Sequence, residues 1–345
     1  MARCIDWRDG AVVLVDQTLL PDEERWLRVV DVDTLVDAIA RLAVRGAPAL
    51  GAAGALGVAL AAAQYRDRAG VVAAANRIRS ARPTAVNLGR GVDRALGRLA
   101  AGPAAVLAEA CAVVEEEAAS GRAIGDRGAD LLAELCPARP LRVLTHCNTG
   151  WLATVEWGTA LGVVGVLHER GRLGRVYAGE TRPLLQGSRL TAYELARMGA
   201  DFRVVVDGAA PSLVARGLVD AVLVGADRIA ANGDVANKVG TYPLALAAAR
   251  SGVPFVVAAP ESTLDPDTPT GDGVPIEERD PTEVAPAGVP AYNPAFDITP
   301  HDLVTAIVTD RRTIRPNHPD HRSDPGHPEH RSDPGHAEHP DQEPR

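Results

Sequence analysis

Apolar positions between residues 32 and 136 recur at a helical period. Leu35, Val36, Ile39, Leu42 and Ala43 fall on one face, and Gly46 stops the run. The next helix opens near Pro48, a first-turn position that suits proline. Its glycines, Gly51, Gly54 and Gly57, recur every three residues and allow a neighbouring helix to approach closely. Further helical segments are predicted over 70–80, 91–101, 103–119 and 122–135. Upstream, residues 11–20 read as a short strand or hairpin arm ending at Pro21.

After Pro140 the pattern changes. "LRVLTH" (141–146), "RVYAGE" (175–180), "FRVVVDG" (202–208), "DAVLVGAD" (220–227) and "PFVVAAP" (254–260) are short Val-rich runs bounded by polar residues. Between them lie helical stretches at 152–170, 188–199, 210–217 and 241–252. Alternating buried strands and helices predict an α/β fold, a parallel sheet with helices on both faces. A final helix is expected in "TPHDLVTAIVTD", capped by Thr299 with Pro300 behind it. The expected division is a mainly helical region with a short β segment over 1–138, a sheet region over 139–315 and a tail over 316–345. In that tail "HRSDPGH" occurs twice, at 321–327 and 330–336. Pro, Asp, Gly and His with almost no apolar content cannot bury a core, so disorder is expected there. Six of the nine histidines fall in the tail, and a solvated segment without a role in chemistry is preferred over a metal site.

Composition narrows the function classes. Hydrophobic content of 46% with 3% aromatics implies a core of Ala, Val and Leu. A formal charge of −9 argues against a nucleic-acid surface. The four cysteines (Cys4, Cys111, Cys136, Cys147) form no CxxC pair, which fits a reducing cytosol and a cytoplasmic protein. The first ten residues carry acids early and do not read as a signal peptide. The uncharged run 46–64 is rich in Ala and Gly and reads as a buried helix, not a membrane span.

Ligands of an open parallel sheet bind beyond the carboxyl ends of its strands. The predicted strands run into Cys147 and Asn148, into Glu180, Thr181 and Arg182, into Asp207, and into Asp227 and Arg228. Two readings stay open for Cys147: a thiol activated at a helix N-terminus, or a small buried apolar residue. Asp227 follows the apolar "VLVGA", where desolvation would raise its pKa and leave an acid; a salt bridge to Arg228 or a helix cap is the alternative. Lys238 is the chain's single lysine against 35 arginines. With Asn237 it precedes the helix opened by "VGTYP", and an amide and an ammonium at a helix N-terminus make an anion site. "RGAP" (45–48) repeats that logic with Arg45 and the N–H groups of Gly46 and Ala47. Two such sites point to a phosphorylated substrate, with simple helix capping as the alternative for either. For the lone lysine, a compact ammonium that fits where a guanidinium fork does not is preferred over chance retention on the surface.

The motifs "RGAPALGAAGALG", "RPTAVNL" (82–88), "THCNTGWLAT", "ETRPLLQGSRLTAYEL" (180–195), "GADRIAANGDVANKVGTYPLA" (225–245) and "YNPAFDITP" (292–300) resemble the S-methyl-5-thioribose-1-phosphate isomerase family of methionine salvage. That family shares its fold with the regulatory alpha, beta and delta subunits of translation initiation factor 2B. The resemblance spans about residues 5–312. It implies a helical N-terminal domain, a Rossmann-like C-terminal domain, a homodimer, and catalysis by Cys147 and Asp227. It also implies substrate contacts from Arg45, Gly46, Ala47, Arg82, Gln186, Asn237 and Lys238. Arg82 and Gln186 enter through the resemblance alone. Trp151 departs from the smaller residue expected after "THCNTG" and is read as reshaping the cleft mouth. No metal or nucleotide cofactor is expected, and no GxGxxG follows a strand. Rival readings are a related isomerase of ribose 1,5-bisphosphate or 5-deoxyribose 1-phosphate, and a non-catalytic sugar-phosphate-binding subunit.

Overall fold

The computed structural model describes residues 3–82, 85–137 and 140–316. It opens with three antiparallel strands, β1 (Ile5–Arg8), β2 (Ala11–Val15) and β3 (Trp26–Val29), ordered β1-β2-β3. Five helices follow: α1 (Val32–Ala40), α2 (Ala47–Gln64), α3 (Arg68–Ser80), α4 (Val86–Leu96) and α5 (Pro103–Leu135). Asp31 and Asp67 cap α1 and α3 by accepting from Thr34 N–H and Gly70 N–H, which satisfies donors the helices leave unpaired. α2 is buried from Pro48 to Ala62. It is long and apolar enough to span a membrane by composition, yet here it forms the centre of the helical core. Its glycines act as expected: a Cβ on Gly54 would lie 2.5 Å from the Leu88 carbonyl oxygen, so only glycine lets α4 lie this close.

The remaining elements are β4 (Leu141–Thr145), α6 (Ala160–Glu169), β5 (Leu173–Gly179), α7 (Ala192–Met198), β6 (Phe202–Val205), α8 (Ala210–Ala215), β7 (Ala221–Val224), β8 (Arg228–Ala230), β9 (Val235–Lys238), α9 (Thr241–Ser251), β10 (Phe255–Ala258), β11 (Leu264–Asp265), β12 (Phe296–Thr299), β13 (Ala306–Val308) and β14 (Thr313–Ile314). Seven strands form one sheet in the order β14-β13-β10-β7-β4-β5-β6, parallel throughout except for β14. Alternate side chains serve opposite faces. Val143, Leu223 and Val256 join the core built with α5 and α6, whereas Leu144, Val222 and Val257 join the core built with α8 and α9. The chain winds from β4 outward through β5 and β6, then returns to place β7 on β4's other side. The order therefore reverses between β4 and β7, and the crevice beyond their carboxyl ends is where an open α/β sheet receives ligands.

Four sequence expectations change. The segments 103–119 and 122–135 are one helix, α5. Gly121, between the two expected segments, is a contact surface: a Cβ there would lie 3.0 Å from the Gly158 carbonyl oxygen. The helix expected over 152–170 begins only at Ala160, and residues 146–158 form an irregular loop. The helix expected after Thr299 is absent from the described residues: Thr299 ends β12, Pro300 leads a short 3-10 turn (His301–Leu303), and Ala306–Val308 enter the sheet as β13, fully buried. A three-residue apolar run has no periodicity with which to separate strand from helix. A second sheet, ordered β11-β8-β9-β12, was not anticipated. Of the tail, residues 317–345 and both copies of its repeat lie outside the described residues.

Candidate active site

Cys147 follows β4 and Asp227 follows β7, so both stand at the sheet's reversal point. A single cleft is lined by Arg45, Gly46, Ala47, Arg82, Cys147, Gln186, Asp227 and Lys238. A smaller chamber adjoins it behind Arg45, Gly46, Ala47, Cys147 and Asp227, and there Asn237 contributes. Cys147, Asp227 and all seven residues expected to contact substrate therefore border one of two neighbouring spaces, and Cys147 and Asp227 line both. The strand-end candidates Glu180, Thr181, Arg182 and Asp207 line neither.

Cys147 is held by its backbone. Its N–H donates to Thr181 Oγ1 at 2.9 Å, and its carbonyl accepts from Thr191 Oγ1 at 2.6 Å. These bonds fix a left-handed backbone, φ 65°, an uncommon conformation for a residue with a side chain and one that clusters at functional sites. Of the two readings left open for Cys147, the thiol activated at a helix N-terminus does not hold. The chain after Cys147 reaches Ala160 before a helix starts, and the residue is buried, which pushes the thiol up. Arg45 and Lys238 oppose that rise, while Asp227 adds to it.

Asp227 donates its N–H to the Ala236 carbonyl at 2.9 Å, which ties it to the β8–β9 hairpin. Burial pushes its carboxyl up, against the pull of Lys238, Arg45 and Arg82. The alternative partner, Arg228, ion-pairs with Asp265 at 3.4 Å. Lys238 ends β9, opposite Phe296 of β12, and α9 opens three residues later at Thr241, as expected. Its Nζ sits 4.4 Å from the Phe296 ring centroid, and burial lowers its pKa while Cys147 and Asp227 raise it. The anion site expected at α9's N-terminus is already filled: Asp297 Oδ2 accepts from Gly240 N–H at 2.7 Å and Tyr242 N–H at 3.1 Å. Asn237 instead donates to Thr241 Oγ1 at 2.9 Å.

The start of α2 keeps the anion-site geometry. Gly46 has φ 93°, and a Cβ there would lie 2.2 Å from the Ala153 carbonyl oxygen, so glycine is required on both counts. Arg45 is locked by one residue, Nη1 to Asn148 Oδ1 at 2.7 Å and Nη2 to the Asn148 carbonyl at 2.8 Å. Three of its five N–H groups remain to meet a ligand. Arg82 donates to Glu277 at 2.7 Å. Gln186 is buried, and its Oε1 has no hydrogen-bond partner among the described residues. A buried carbonyl oxygen left without a donor is costly unless a ligand or water supplies one.

The cleft also holds residues that sequence reasoning missed. Leu42, Leu50, Val86, Leu184 and Phe296 give it apolar walls, and Glu277 with Arg279 borders the far side. Arg279 donates to Glu277 at 2.9 Å and to Glu283 at 2.6 Å. "EER" (277–279) was the available signal, but it lies in the long connection between β11 and β12, more than ten residues from the nearest strand end. Trp151 does not shape the mouth. It is buried in the helical core and is absent from the cleft lining, so a large ring is accommodated by packing away from the site.

The lysine's setting yields a direct expectation. Lys238→Arg keeps the charge but brings a longer, planar group into a buried slot beside Phe296. Steady-state kinetics should show KM raised or kcat lowered about tenfold or more, the equivalent of one logarithmic step in barrier height, with thermal stability nearly unchanged.

Comparison with known proteins follows the same lines. The family model described as the Initiation factor 2 subunit family matches residues 43–316. The chain belongs to that family. A methylthioribose-1-phosphate isomerase of Anaeromyxobacter sp. (strain K) is 54% identical over 321 residues, covering 91% of this chain and 93% of that one. A probable bifunctional methylthioribose-1-phosphate isomerase/methylthioribulose-1-phosphate dehydratase of Nocardia farcinica is 54% identical over 90% of this chain, which spans 58% of that longer protein. A 5-deoxyribose 1-phosphate isomerase of Moorella thermoacetica is 49% identical, with 90% and 94% covered. Among solved structures, 5-methylthioribose 1-phosphate isomerase from Pyrococcus horikoshii superposes with a TM-score of 0.84 at 38% identity, covering 92% of this chain and 93% of that one. The delta subunit of translation initiation factor eIF-2B from A. fulgidus gives 0.81 at 44% identity, with 92% and 97% covered.

Proposed function

We propose that this chain is an aldose–ketose isomerase that converts S-methyl-5-thioribose 1-phosphate to S-methyl-5-thioribulose 1-phosphate. The observation that carries the reading is that Cys147 and Asp227 both line the small chamber at α2's start and the larger cleft beside it. The chamber fits a phosphate, through Arg45, the Gly46 and Ala47 N–H groups and Asn237. The cleft fits the sugar, with its apolar walls taking the methylthio end. Relatives that share most of their length with this chain carry the isomerase name.

In the substrate the phosphate ester locks C1 in its ring, so the ring C–O bond must open while the ester stays. A protonated Asp227 donates its proton to the ring oxygen as that bond breaks, leaving a cationic centre at C1. Hydride then moves from C2 to C1, C2 becomes a carbonyl, and the proton released from its hydroxyl restores the acid. The raised thiol of Cys147 favours this route over proton removal by a thiolate. A phosphate dianion beside Arg45 and Lys238 offsets the two positive charges that lower the thiol pKa, so binding pushes it higher still. Turnover in deuterated water should therefore leave C1 of the product without solvent deuterium. Deuterium at C1, read by proton NMR, would reinstate Cys147 as a base.

5-Deoxyribose 1-phosphate is the second reading, favoured by the Moorella relative and by the same apolar walls. Ribose 1,5-bisphosphate is less suited, because Glu277 already engages Arg82 and Arg279. Rates on the three sugars separate these cases: kcat/KM highest for the methylthio sugar supports the proposal, and preference for the bisphosphate removes it. We also assign the protein to the cytoplasm as a homodimer. Four free cysteines suit a reducing compartment, and edge strand β6 with exposed Val204 and Val206 offers a surface for a second copy. Light scattering in solution tests the dimer.

A further inference from the structure

We infer that Glu194, which does not line the cleft, is a positioning residue that aims Arg45 at the substrate phosphate by fixing which way the Asn148 amide points. The inference rests on the isomerase reading for the identity of the ligand, but its physical core is the anion site itself.

Glu194 is buried in the first turn of α7. Its carboxylate accepts from Asn148 Nδ2 at 2.8 Å, from Trp151 N–H at 2.8 Å and from Leu152 N–H at 3.3 Å. Three donors converge on it, so it must offer acceptors on both oxygens. Because Asn148 gives its NH2 to this carboxylate, its Oδ1 is left to receive Arg45. An amide turned the other way would aim two N–H groups at a guanidinium that can only donate. The direction of the amide is thus set at Glu194 and read out at Arg45.

Two neighbouring features support a built arrangement. Thr191, one turn before Glu194, accepts from Asn148 Nδ2 at 3.3 Å while donating to the Cys147 carbonyl. One helix start therefore orients the residue beside the thiol and the residue beside the phosphate site together. That start follows a five-residue π turn, Gly187–Thr191, an irregularity frequent at functional sites. Gly150 faces the carboxylate so closely that a Cβ would lie 1.8 Å from Glu194 Oε2. Burial pushes the carboxyl up to about 7, and a buried acid of this kind is costly to keep ionised without its donors.

The test uses the full-length protein with Glu194→Gln, Arg45→Ala and the double variant. Inorganic phosphate affinity is measured by calorimetry alongside kinetics on the sugar phosphate. Glu194→Gln should raise the phosphate Kd and the sugar KM together by about tenfold, with a smaller change in kcat. In the Arg45→Ala background the same change should add little, because the effect travels through Arg45. Should Glu194→Gln not fold, Gly150→Ala, which displaces the carboxylate without altering its charge, is read in the same way. Full additivity with Arg45→Ala, or phosphate affinity within twofold of wild type in a folded variant, overturns the inference. Phosphate affinity is measured without turnover, so a protein that binds phosphate but leaves the sugar unchanged would refute the isomerase reading and still decide this one.

Discussion

Asp227→Asn should fold as the wild type does and lose turnover by about 10²–10⁴-fold, the range expected when a positioned general acid is removed. Asparagine keeps the size and the hydrogen-bonding edge of the side chain but has no proton to give to a ring oxygen. The pH dependence carries a sign. Burial raises the Asp227 pKa, so the acid form is the working form, and kcat should fall as pH rises through that raised value. The variant's residual rate should lack that descending limb. Stability gives an independent check. A carboxyl whose folded pKa lies above its unfolded value binds more protons in the native state, so stability falls as pH rises from about 4, the ordinary carboxyl value, through the raised one. Asp227→Asn should flatten that part of the stability curve and leave the protein as stable as wild type or more so near neutrality. Chemical denaturation at several pH values reads this directly.

Cys147→Ala should also damage turnover, by about 10²–10³-fold, with sugar-phosphate binding retained. In the hydride route the thiol is the group that stabilises the charge developing at C1. Cys147 lines both chambers, in the field of Arg45, Lys238 and Asp227. Its backbone bonds to Thr181 and Thr191 do not involve sulfur, so alanine keeps the loop in place. Retained binding with lost kcat identifies an interaction made in the transition state. A parallel loss of binding would mean that the side chain is part of the cleft's scaffold.

The fold was legible where periodicity was long enough to read. Val-rich runs alternating with helices predicted the doubly wound sheet, and the rule that ligands sit beyond strand ends brought Cys147 and Asp227 forward before any geometry was known. Gly51, Gly54 and Gly57 were read as permitting a close helix, and Gly54 meets α4 in that way. The second sheet was invisible because its strands are two to four residues long, too short for a pattern. Lys238 was singled out by its isolation as a lysine, and it does precede a helix, but it reaches the cleft from the end of a strand. The helix start behind it is satisfied by Asp297, about sixty positions along the chain, and no local pattern could have announced that bond.

Arg82 follows no strand and Gln186 lies seven residues past the end of β5, so position rules passed over both. Arg82 lies in the connection between α3 and α4, and Gln186 in the turn leading to α7. Only resemblance brought them in, and both line the cleft. One of the two readings of Cys147, the helix N-terminus, failed for a single cause. The dipole argument needs a helix to begin beside the thiol, and the segment after it stays irregular as far as Gly158. Without that helix, desolvation decides the direction of the shift.

The central claim is that this cleft rearranges an aldose 1-phosphate and does not merely hold it. Incubation with S-methyl-5-thioribose 1-phosphate, followed by carbon and phosphorus NMR, tests it most directly. The account predicts a new ketone carbon at C2 with phosphate still esterified at C1. A sugar phosphate that saturates the protein yet is recovered unchanged would contradict it.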